Sequence, residues 1–139
     1  MPSKLFIRTE PDVQTVVPSP DFVELCRLLL EGGQSYLVQA KGMAGVDPGL
    51  FVTLKLEVFG FFGELLASEY CDYRGPGQQF VLTAAATLPA EGGRTTRLPL
   101  GASANLSARV GFINPAAEVG LAAYNVVLIA LSVDEIVTA

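Results

Sequence analysis

The side chains most often used in catalysis are scarce in this sequence. It contains no histidine, which excludes serine–histidine triads, imidazole general bases and histidine-ligated metal ions. Two pairs of acidic residues could help to bind calcium: Glu69 with Asp72, and Asp134 with Glu135. Neighbouring acids usually lie in solvent, and the two cysteines, Cys26 and Cys71, are expected to be reduced core residues. We therefore expect no catalytic residue, no cofactor and no metal ion.

The composition limits the classes of partner. A chain of 139 residues suffices for one domain with its own core. Its formal net charge of −5, without a cluster of Lys and Arg, would repel phosphate backbones, so we expect no nucleic-acid partner. Only 17% of the residues are charged, whereas a soluble domain usually has about 25%. This shortage leaves too little polar material to cover a monomer comfortably, which favours self-association.

Neither a membrane span nor a signal peptide is predicted. The longest apolar stretch, residues 119–133, contains Asn125 and Ser132 and is shorter than a transmembrane helix. Only three apolar residues follow Lys4 before the next charge, which is too short for the core of a signal peptide. We expect no membrane partner, and we expect synthesis in the cytoplasm.

Prolines punctuate the first twenty residues and exclude a long helix there. Short β-prone apolar pieces lie between these prolines, with nothing nearby in the sequence to cover them. We interpret residues 1–20 as an extended N-terminal arm that docks on another surface. The docking side chains would be the apolar ones: Leu5, Phe6, Ile7, Val13, Val16 and Val17.

From residue 22 onward the hydrophobic period is two, as in half-buried strands. The clearest example is 52–58, where Val and Leu alternate with Thr, Lys and Glu. Turn signals rich in Gly and Pro separate seven or eight such runs. Residues 21–139 are therefore predicted to form one all-β domain, an antiparallel β-sandwich or barrel.

The last predicted strand, residues 124–133, is apolar on both faces. Strict alternation puts Tyr124, Val126, Leu128 and Ala130 on one face, and Val127, Ile129, Leu131 and Val133 on the other. An antiparallel sandwich normally turns one polar face to water, so something must cover the second face. Either a loop or the arm of the same chain covers it, or a subunit interface does. The interface residues would be Tyr124, Val127, Ile129, Leu131 and Val133.

Two segments carry a resemblance to a known class of fold. Residues 22–41 run from an apolar strand through Gly32–Gly33 into Tyr-Leu-Val-Gln-Ala-Lys, and residues 124–136 close the chain with an apolar run ending in Val-Asp-Glu-Ile. This pattern resembles jelly-roll domains of the tumour-necrosis-factor and complement globular-head type. The resemblance implies a jelly roll that forms a tight homotrimer, with the final strand near the threefold axis.

An arm ahead of a small trimeric β domain is also similar to the layout of head-decoration (cement) proteins of tailed phages. That resemblance implies a non-enzymatic structural protein on the capsid exterior, with the major capsid protein as its partner, which stabilises the head. The alternative is a trimeric ligand- or receptor-binding head, such as a fibre tip or a secreted recognition module.

One enzyme family remains as a remote alternative, because dUTP hydrolases are also trimeric β proteins of this size. Ala44-Gly45-Val46-Asp47 resembles one of their substrate motifs, and Asp72-Tyr73-Arg74-Gly75 approximates another. The phosphate-binding motif expected between them and the Gly-rich, Arg-containing tail are both missing. We therefore interpret the two tetrapeptides as ordinary turns.

Overall fold

The computed structural model describes residues 3–16, 22–46, 50–60, 62–74, 77–88, 101–112 and 121–137, and within 101–112 the side chains of 103–105. These residues form β-strands joined by turns: β1 (Leu5–Glu10), β2 (Gln14–Val16), β3 (Val23–Glu31), β4 (Ser35–Val46), β5 (Leu50–Phe59), β6 (Leu65–Arg74), β7 (Gln78–Thr87), β8 (Gly101–Phe112) and β9 (Leu121–Val133). Across these ranges no helix is long and apolar enough to cross a membrane.

The strands form two antiparallel sheets packed as a sandwich, which confirms the predicted all-β class. The five-stranded sheet has the order β1-β9-β4-β7, with β2 also paired to β9, and the four-stranded sheet has the order β3-β8-β5-β6. With β1 and β2 counted as one interrupted strand, this is the strand order of a jelly roll, built from two Greek keys. Strand β9 is internal in its sheet, since β4 pairs with one edge and β1 and β2 pair with the other.

The core consists of the inward positions that the period of two predicts. In β4 and β5 every second side chain is fully buried, including Tyr36, Val38, Leu54 and Leu56. On β9, which is the neighbour of β4 in the five-stranded sheet, Leu128 and Ala130 also have no exposed surface. Tyr36 keeps its hydroxyl satisfied inside the core, because it donates to the carbonyl oxygen of Glu31 at 3.0 Å and accepts the Glu31 N–H at 3.1 Å.

Residues 5–10 and 14–16 belong to the five-stranded sheet as β1 and β2, and the structure does not show the extended arm that the sequence predicted for residues 1–20. Strand β1 runs antiparallel to β9, from Leu5 opposite Leu131 to Glu10 opposite Val126. Phe6 packs edge-on against Tyr36, with ring centroids 5.8 Å apart. β1 pairs with β9 because the backbone N–H and C=O groups along both edges of β9 need hydrogen-bond partners, and the first strand of the same chain supplies those for one edge. The predicted boundary at residues 20 and 21 lies outside the described residues.

A β-bulge at Asn125 changes which residues of β9 face the core. Lys41 lies opposite Val127 and Met43 lies opposite Tyr124, so two residues of β9 oppose the single residue Gly42. Asn125 has a φ of 52°, a left-handed conformation that Asn tolerates better than most residues. Before the bulge the odd-numbered residues Leu121 and Ala123 are buried, whereas after it the even-numbered residues are.

The two tetrapeptides interpreted as turns are not turns in the described structure. Ala44–Val46 is the end of β4 and Asp72–Arg74 is the end of β6, while Asp47 and Gly75 lie outside the described residues. Strand β6 has no clean alternation in sequence because it is an edge strand whose inward position Glu69 is exposed. Pairing with a neighbouring strand keeps each segment extended where its Gly and Asp residues predict a turn: β4 pairs with β9 at Ala44–Val46, and β6 pairs with β5 at Asp72–Arg74.

Candidate subunit interface

The outer surface of the five-stranded sheet is built from three rows of side chains that run across its strands. Residues directly opposite each other in an antiparallel sheet share a face, so the register defines the rows. They are Leu5–Leu131–Leu37–Ala85, Ile7–Ile129–Gln39–Thr83 and Thr9–Val127–Lys41–Val81. We call this surface, together with Tyr124 and Val133 at its ends, the apolar face.

Large apolar side chains on the apolar face are open to solvent in the single chain. Leu5 is 60% exposed, Ile7 55%, Val81 50%, Leu37 44% and Leu131 37%. Val127, Ile129 and Val133 are half-buried by their neighbours along and across the strands. Scattered exposed apolar residues are common, but adjacent ones such as Leu5, Leu131 and Leu37, which lie side by side on three strands, are typical of an interaction site.

The apolar face brings together all five residues that the sequence assigned to an interface. Val127, Ile129, Leu131 and Val133 lie on it as alternation predicts. Tyr124 lies on it for a different reason, since strict alternation places it on the face of Val126 and the bulge at Asn125 moves it to the outer face. Whether a second molecule covers these residues remains a prediction.

Charge distinguishes the apolar face from the other outer surface of the sandwich. At the outward positions of β1, β9, β4 and β7 in the described chain, Lys41 is the sole formally charged side chain. The outer surface of the four-stranded sheet instead carries the ion pairs Arg27–Glu24 at 2.7 Å and Lys55–Glu57 at 3.5 Å. The outer surface of the four-stranded sheet therefore carries more formal charge than the apolar face does.

The residues assigned to the arm divide between the core and the apolar face. Val16 is buried and Phe6 packs against the core, so neither is free to dock on another molecule. Leu5 and Ile7 contribute directly to the apolar face, and Val13 is exposed between β1 and β2. Val17 lies outside the described residues.

Sequence reasoning missed the part of the apolar face that β4 and β7 supply. Leu37 interrupts the polar positions of β4, between Ser35 and Gln39, and Val81 interrupts those of β7 in the same way. Both side chains lie at outward positions and are exposed. The available signal was the break in alternation, an apolar residue at a position where the pattern predicts a polar one.

The described residues do not assemble a metal site. Within the described ranges, no group of three or more Cys, Asp and Glu side chains is placed to hold a metal ion. Asp72, part of the motif weighed for nucleotide hydrolysis, accepts a hydrogen bond from the hydroxyl of Thr53 at 2.5 Å on the neighbouring strand. The two cysteines are free and lie on opposite edge strands of the four-stranded sheet, so they do not meet.

Cys26 lies at the floor of a groove between the edge strands β1 and β3. Burial raises the pKa of its thiol from 9.0 to about 11, and the carboxylate of Glu10 adds to the rise. A thiol that stays protonated at neutral pH is a poor nucleophile.

The same groove is lined by charged side chains, namely Arg8, Glu24 and Arg27, which form the ion pairs Arg8–Glu10 and Arg27–Glu24. Charged side chains at the edges of both sheets hinder the addition of a strand from another molecule.

We expect the protonated thiol of Cys26 to make stability depend on alkaline pH. Because the folded-state pKa lies above that of the unfolded chain, its contribution is complete below pH 9 and is lost as the pH rises toward about 11. Urea unfolding at pH 8 and pH 10.5 measures this loss, and Cys26→Ala should reduce it. An unchanged pH dependence in that variant would refute the assignment.

Comparison with known proteins finds similarity of fold. Over 93% of its length the chain matches 33% of a chain in the structure of infectious bursal disease virus Gt strain, with a TM-score of 0.61 and 12% identity. It also matches 41% of a chain in the VP2 subviral particle of that virus (94% of this chain, TM-score 0.43, 11% identity). A third match is 23% of an arabinose-bound MgGH51 α-L-arabinofuranosidase (89% of this chain, TM-score 0.45, 11% identity). No protein-family model matches the chain, and neither does any curated protein sequence.

The match to the Gt strain carries the structural conclusion, since its TM-score is the one above 0.5 among these three. The chain spans about a third of the length of that viral chain. At 12% identity the match shows a shared fold. The tumour-necrosis-factor and phage-decoration resemblances are not confirmed by any family match and stay predictions. The chain is thus an all-β sandwich with the jelly-roll fold found in viral capsid proteins.

Proposed function

We propose that this chain is a non-enzymatic structural protein of a virion, and that it assembles as a homotrimer through the apolar face. The observation that carries the proposal is the outer surface of the five-stranded sheet, with its exposed Leu, Ile and Val and, among the described outward positions of β1, β4, β7 and β9, a single charge at Lys41. A sandwich that works as a monomer usually turns charged residues outward on both sheets, whereas the ion pairs of this one lie on the outer surface of the four-stranded sheet.

A second copy of the same chain is the occupant that fits best. A surface with almost no charge is best covered by another such surface, because a charge buried against apolar side chains without a partner is costly. The outer surface of the four-stranded sheet carries ion pairs and does not meet this condition. The apolar face of a neighbouring copy does.

Stable association requires each copy to bury several apolar side chains. A fully buried Leu, Ile or Val contributes roughly 1.5–3 kcal/mol, whereas association costs on the order of 4–15 kcal/mol in lost freedom of motion. The apolar face offers eight such residues: Leu5, Ile7, Leu37, Val81, Val127, Ile129, Leu131 and Val133. Three copies that turn this face toward a common axis would bury β9, the strand in the middle of it.

The exterior of a capsid is the location we propose for the trimer. Jelly rolls are a recurring fold of viral capsid domains, and the structural match to the Gt strain agrees with that use. A formal charge of −5 suits a position facing solvent better than one facing packaged nucleic acid. The major capsid protein of the same virion would be the second partner.

Light scattering tests the assembly and cosedimentation tests the location. A trimer has about 44 kDa, three times the 14.7 kDa of one chain, and an obligate assembly keeps that mass on dilution to micromolar concentration. The protein should also pellet with head shells made of the major capsid protein. A monomeric mass would contradict the assembly, and absence from the pellet would contradict the location.

A further inference from the structure

Strand β7 ends the five-stranded sheet and pairs along one of its two edges. Its partner is β4, from Thr87 opposite Ser35 to Gln78 opposite Ala44, without a shift of register. In the part of the chain that the structure describes, no strand pairs with the other edge of β7, which we call the free edge. Backbone N–H and C=O groups along a free edge form a template for a further strand.

Hydrogen bonds show which residues of β7 face the free edge. Leu88, directly after the strand, turns its backbone toward the residues before β4: its N–H donates to the carbonyl oxygen of Gln34 at 2.8 Å, and its carbonyl oxygen accepts the N–H of Gly33 at 3.0 Å. The N–H of Val81 instead donates to the hydroxyl of Tyr73 on β6. Because backbone direction alternates along a strand, the odd-numbered residues of β7 point away from β4.

The free edge lacks the features that usually prevent the addition of a strand. None of the ten residues of β7 is charged, and none is Pro or Gly. Strands β1, β3 and β6 also end a sheet, and all of them carry charges: Arg8 and Glu10 on β1, Glu24, Arg27 and Glu31 on β3, and Glu69, Asp72 and Arg74 on β6. A long uncharged edge strand is suited to pairing with another chain.

We propose that residues 83–87 of β7 pair antiparallel with the same residues of a copy in a neighbouring trimer, so that two five-stranded sheets continue as one. The inference rests on the proposed function, in which trimers lie beside one another on a shell. Val81 lies outside the contact because the hydroxyl of Tyr73 already accepts its N–H. The pairing gives the backbone groups of residues 83–87 that face the free edge the partners that they need.

A twofold axis at Ala85 makes the free edge complementary to itself. The axis sets Ala85 opposite Ala85 and Thr83 opposite Thr87, so the residues that face the free edge meet one another and exchange N–H and C=O groups in pairs. Thr opposite Thr is a stabilising cross-strand pair. No like charges meet at the junction, because no residue of β7 is charged.

The junction also continues the apolar face from one copy to the next. In the single chain the row Leu5–Leu131–Leu37 ends at Ala85 on the edge strand. Pairing across Ala85 places this row end to end with the same row of the second copy. An extended segment of another protein would bind the same backbone groups without continuing the row. The row therefore favours a second copy as the occupant of the free edge.

The contact at the free edge should be weaker than the contact through the apolar face. Three residues of each copy, Thr83, Ala85 and Thr87, contribute its backbone hydrogen bonds, and the net contribution of each such bond is modest. A trimer carries three free edges, so several weak contacts add up between trimers that are held close together. Dilute trimers should therefore stay separate, and concentrated trimers should associate.

The first test compares two variants at Ala85. Ala85→Pro removes an N–H that β4 does not use, and proline is tolerated at such positions of an edge strand, whereas Ala85→Ser keeps the N–H. The average mass of the wild type in light scattering should rise above about 44 kDa between micromolar and millimolar concentration. Ala85→Ser should behave in the same way, and Ala85→Pro should need at least about tenfold more protein. Both variants should keep the trimeric mass when dilute.

The second test uses disulfide formation, in protein whose Cys26 and Cys71 are replaced by Ala. Residues directly opposite each other in a hydrogen-bonded pair have Cα atoms about 5.5 Å apart, within reach of a disulfide. Ala85→Cys should therefore form a covalent dimer of about 29 kDa, twice 14.7 kDa, on mild oxidation of the concentrated protein. The matched control Gln79→Cys is exposed on the same strand but outside the contact, and should react at least about tenfold more slowly.

Each outcome decides the inference. Equal disulfide formation by the two Cys variants, or association that Ala85→Pro leaves unchanged, would overturn it. A wild type that keeps the trimeric mass up to millimolar concentration would overturn it too, but would leave the trimer standing. Shell binding that Ala85→Pro abolishes, without association of the free protein, would overturn it in favour of a strand of the shell protein. A wild type that is monomeric when dilute, but whose Ala85→Cys variant alone forms the dimer, would support the edge contact and contradict the trimer.

Discussion

Leu131→Glu should convert the proposed trimer of about 44 kDa to a single chain of 14.7 kDa. Leu131 lies in the middle of the apolar face, between Leu5 and Leu37, and is 37% exposed in the single chain. In the isolated chain the new carboxylate can therefore reach water. In the assembly it would be buried without a partner beside two further copies of itself, which should weaken association at least about 100-fold.

The matched control is Leu29→Glu, which makes the same chemical change on the other sheet. Leu29 is 70% exposed on the edge strand β3, opposite Ser103, and is not part of the apolar face. This variant should keep the mass of the wild type, and both variants should melt as folded proteins. Light scattering at micromolar concentration measures both masses. A trimeric Leu131 variant, or dissociation of both variants, would show that the apolar face is not the interface.

Two neighbouring residues on β9 should have opposite roles in stability. Leu128 is fully buried inside the sandwich, so Leu128→Ala should cost about 2–5 kcal/mol of unfolding free energy, as other buried Leu residues do. Ile129 points away from the core onto the apolar face. Ile129→Ala should therefore lower stability mainly by weakening the assembly, an effect that depends on protein concentration.

The monomeric Leu131→Glu background separates the two contributions. In that background Leu128→Ala should still cost about 2–5 kcal/mol, while Ile129→Ala should cost about 1 kcal/mol or less. Urea unfolding of the single and double variants at two protein concentrations provides the comparison. If Ile129→Ala were as costly as Leu128→Ala in the monomer, the assignment of the two faces of β9 would be wrong.

Most of the sandwich could be predicted from the sequence because its strands bury one face. Residues 52–58 of β5 alternate between Leu or Val and polar partners, and each Leu and Val among them is buried in the structure. Alternation fails where both faces of a strand are apolar or where neither is. Strand β9 is the first case. The sequence still predicted it as a strand whose second apolar face must be covered. Strand β6 differs again: Ala67, Cys71 and Tyr73 on its inward side pack against the core, but the edge position Glu69 can be polar there and still reach water.

The location of Tyr124 could not be predicted from a period of two. A bulge inserts one residue into one strand and reverses the faces on the far side of it. Asn125 is a weak signal, because Asn tolerates the left-handed backbone but also occurs in ordinary strands and turns. The place of Leu5 and Ile7 beside β9 depends equally on long-range pairing, since nothing local in residues 5–10 specifies a partner more than a hundred residues away.

The central claim, that copies of this chain cover the apolar face for one another, can be measured at Val127. This residue lies between Thr9 and Lys41 on β9 and is half-buried in the single chain. A Val127→Cys variant, with Cys26 and Cys71 replaced by Ala, can be labelled with a maleimide. We predict slow labelling in the wild-type background at micromolar concentration and fast labelling once Leu131→Glu is added. Equally fast labelling with and without Leu131→Glu would contradict the account.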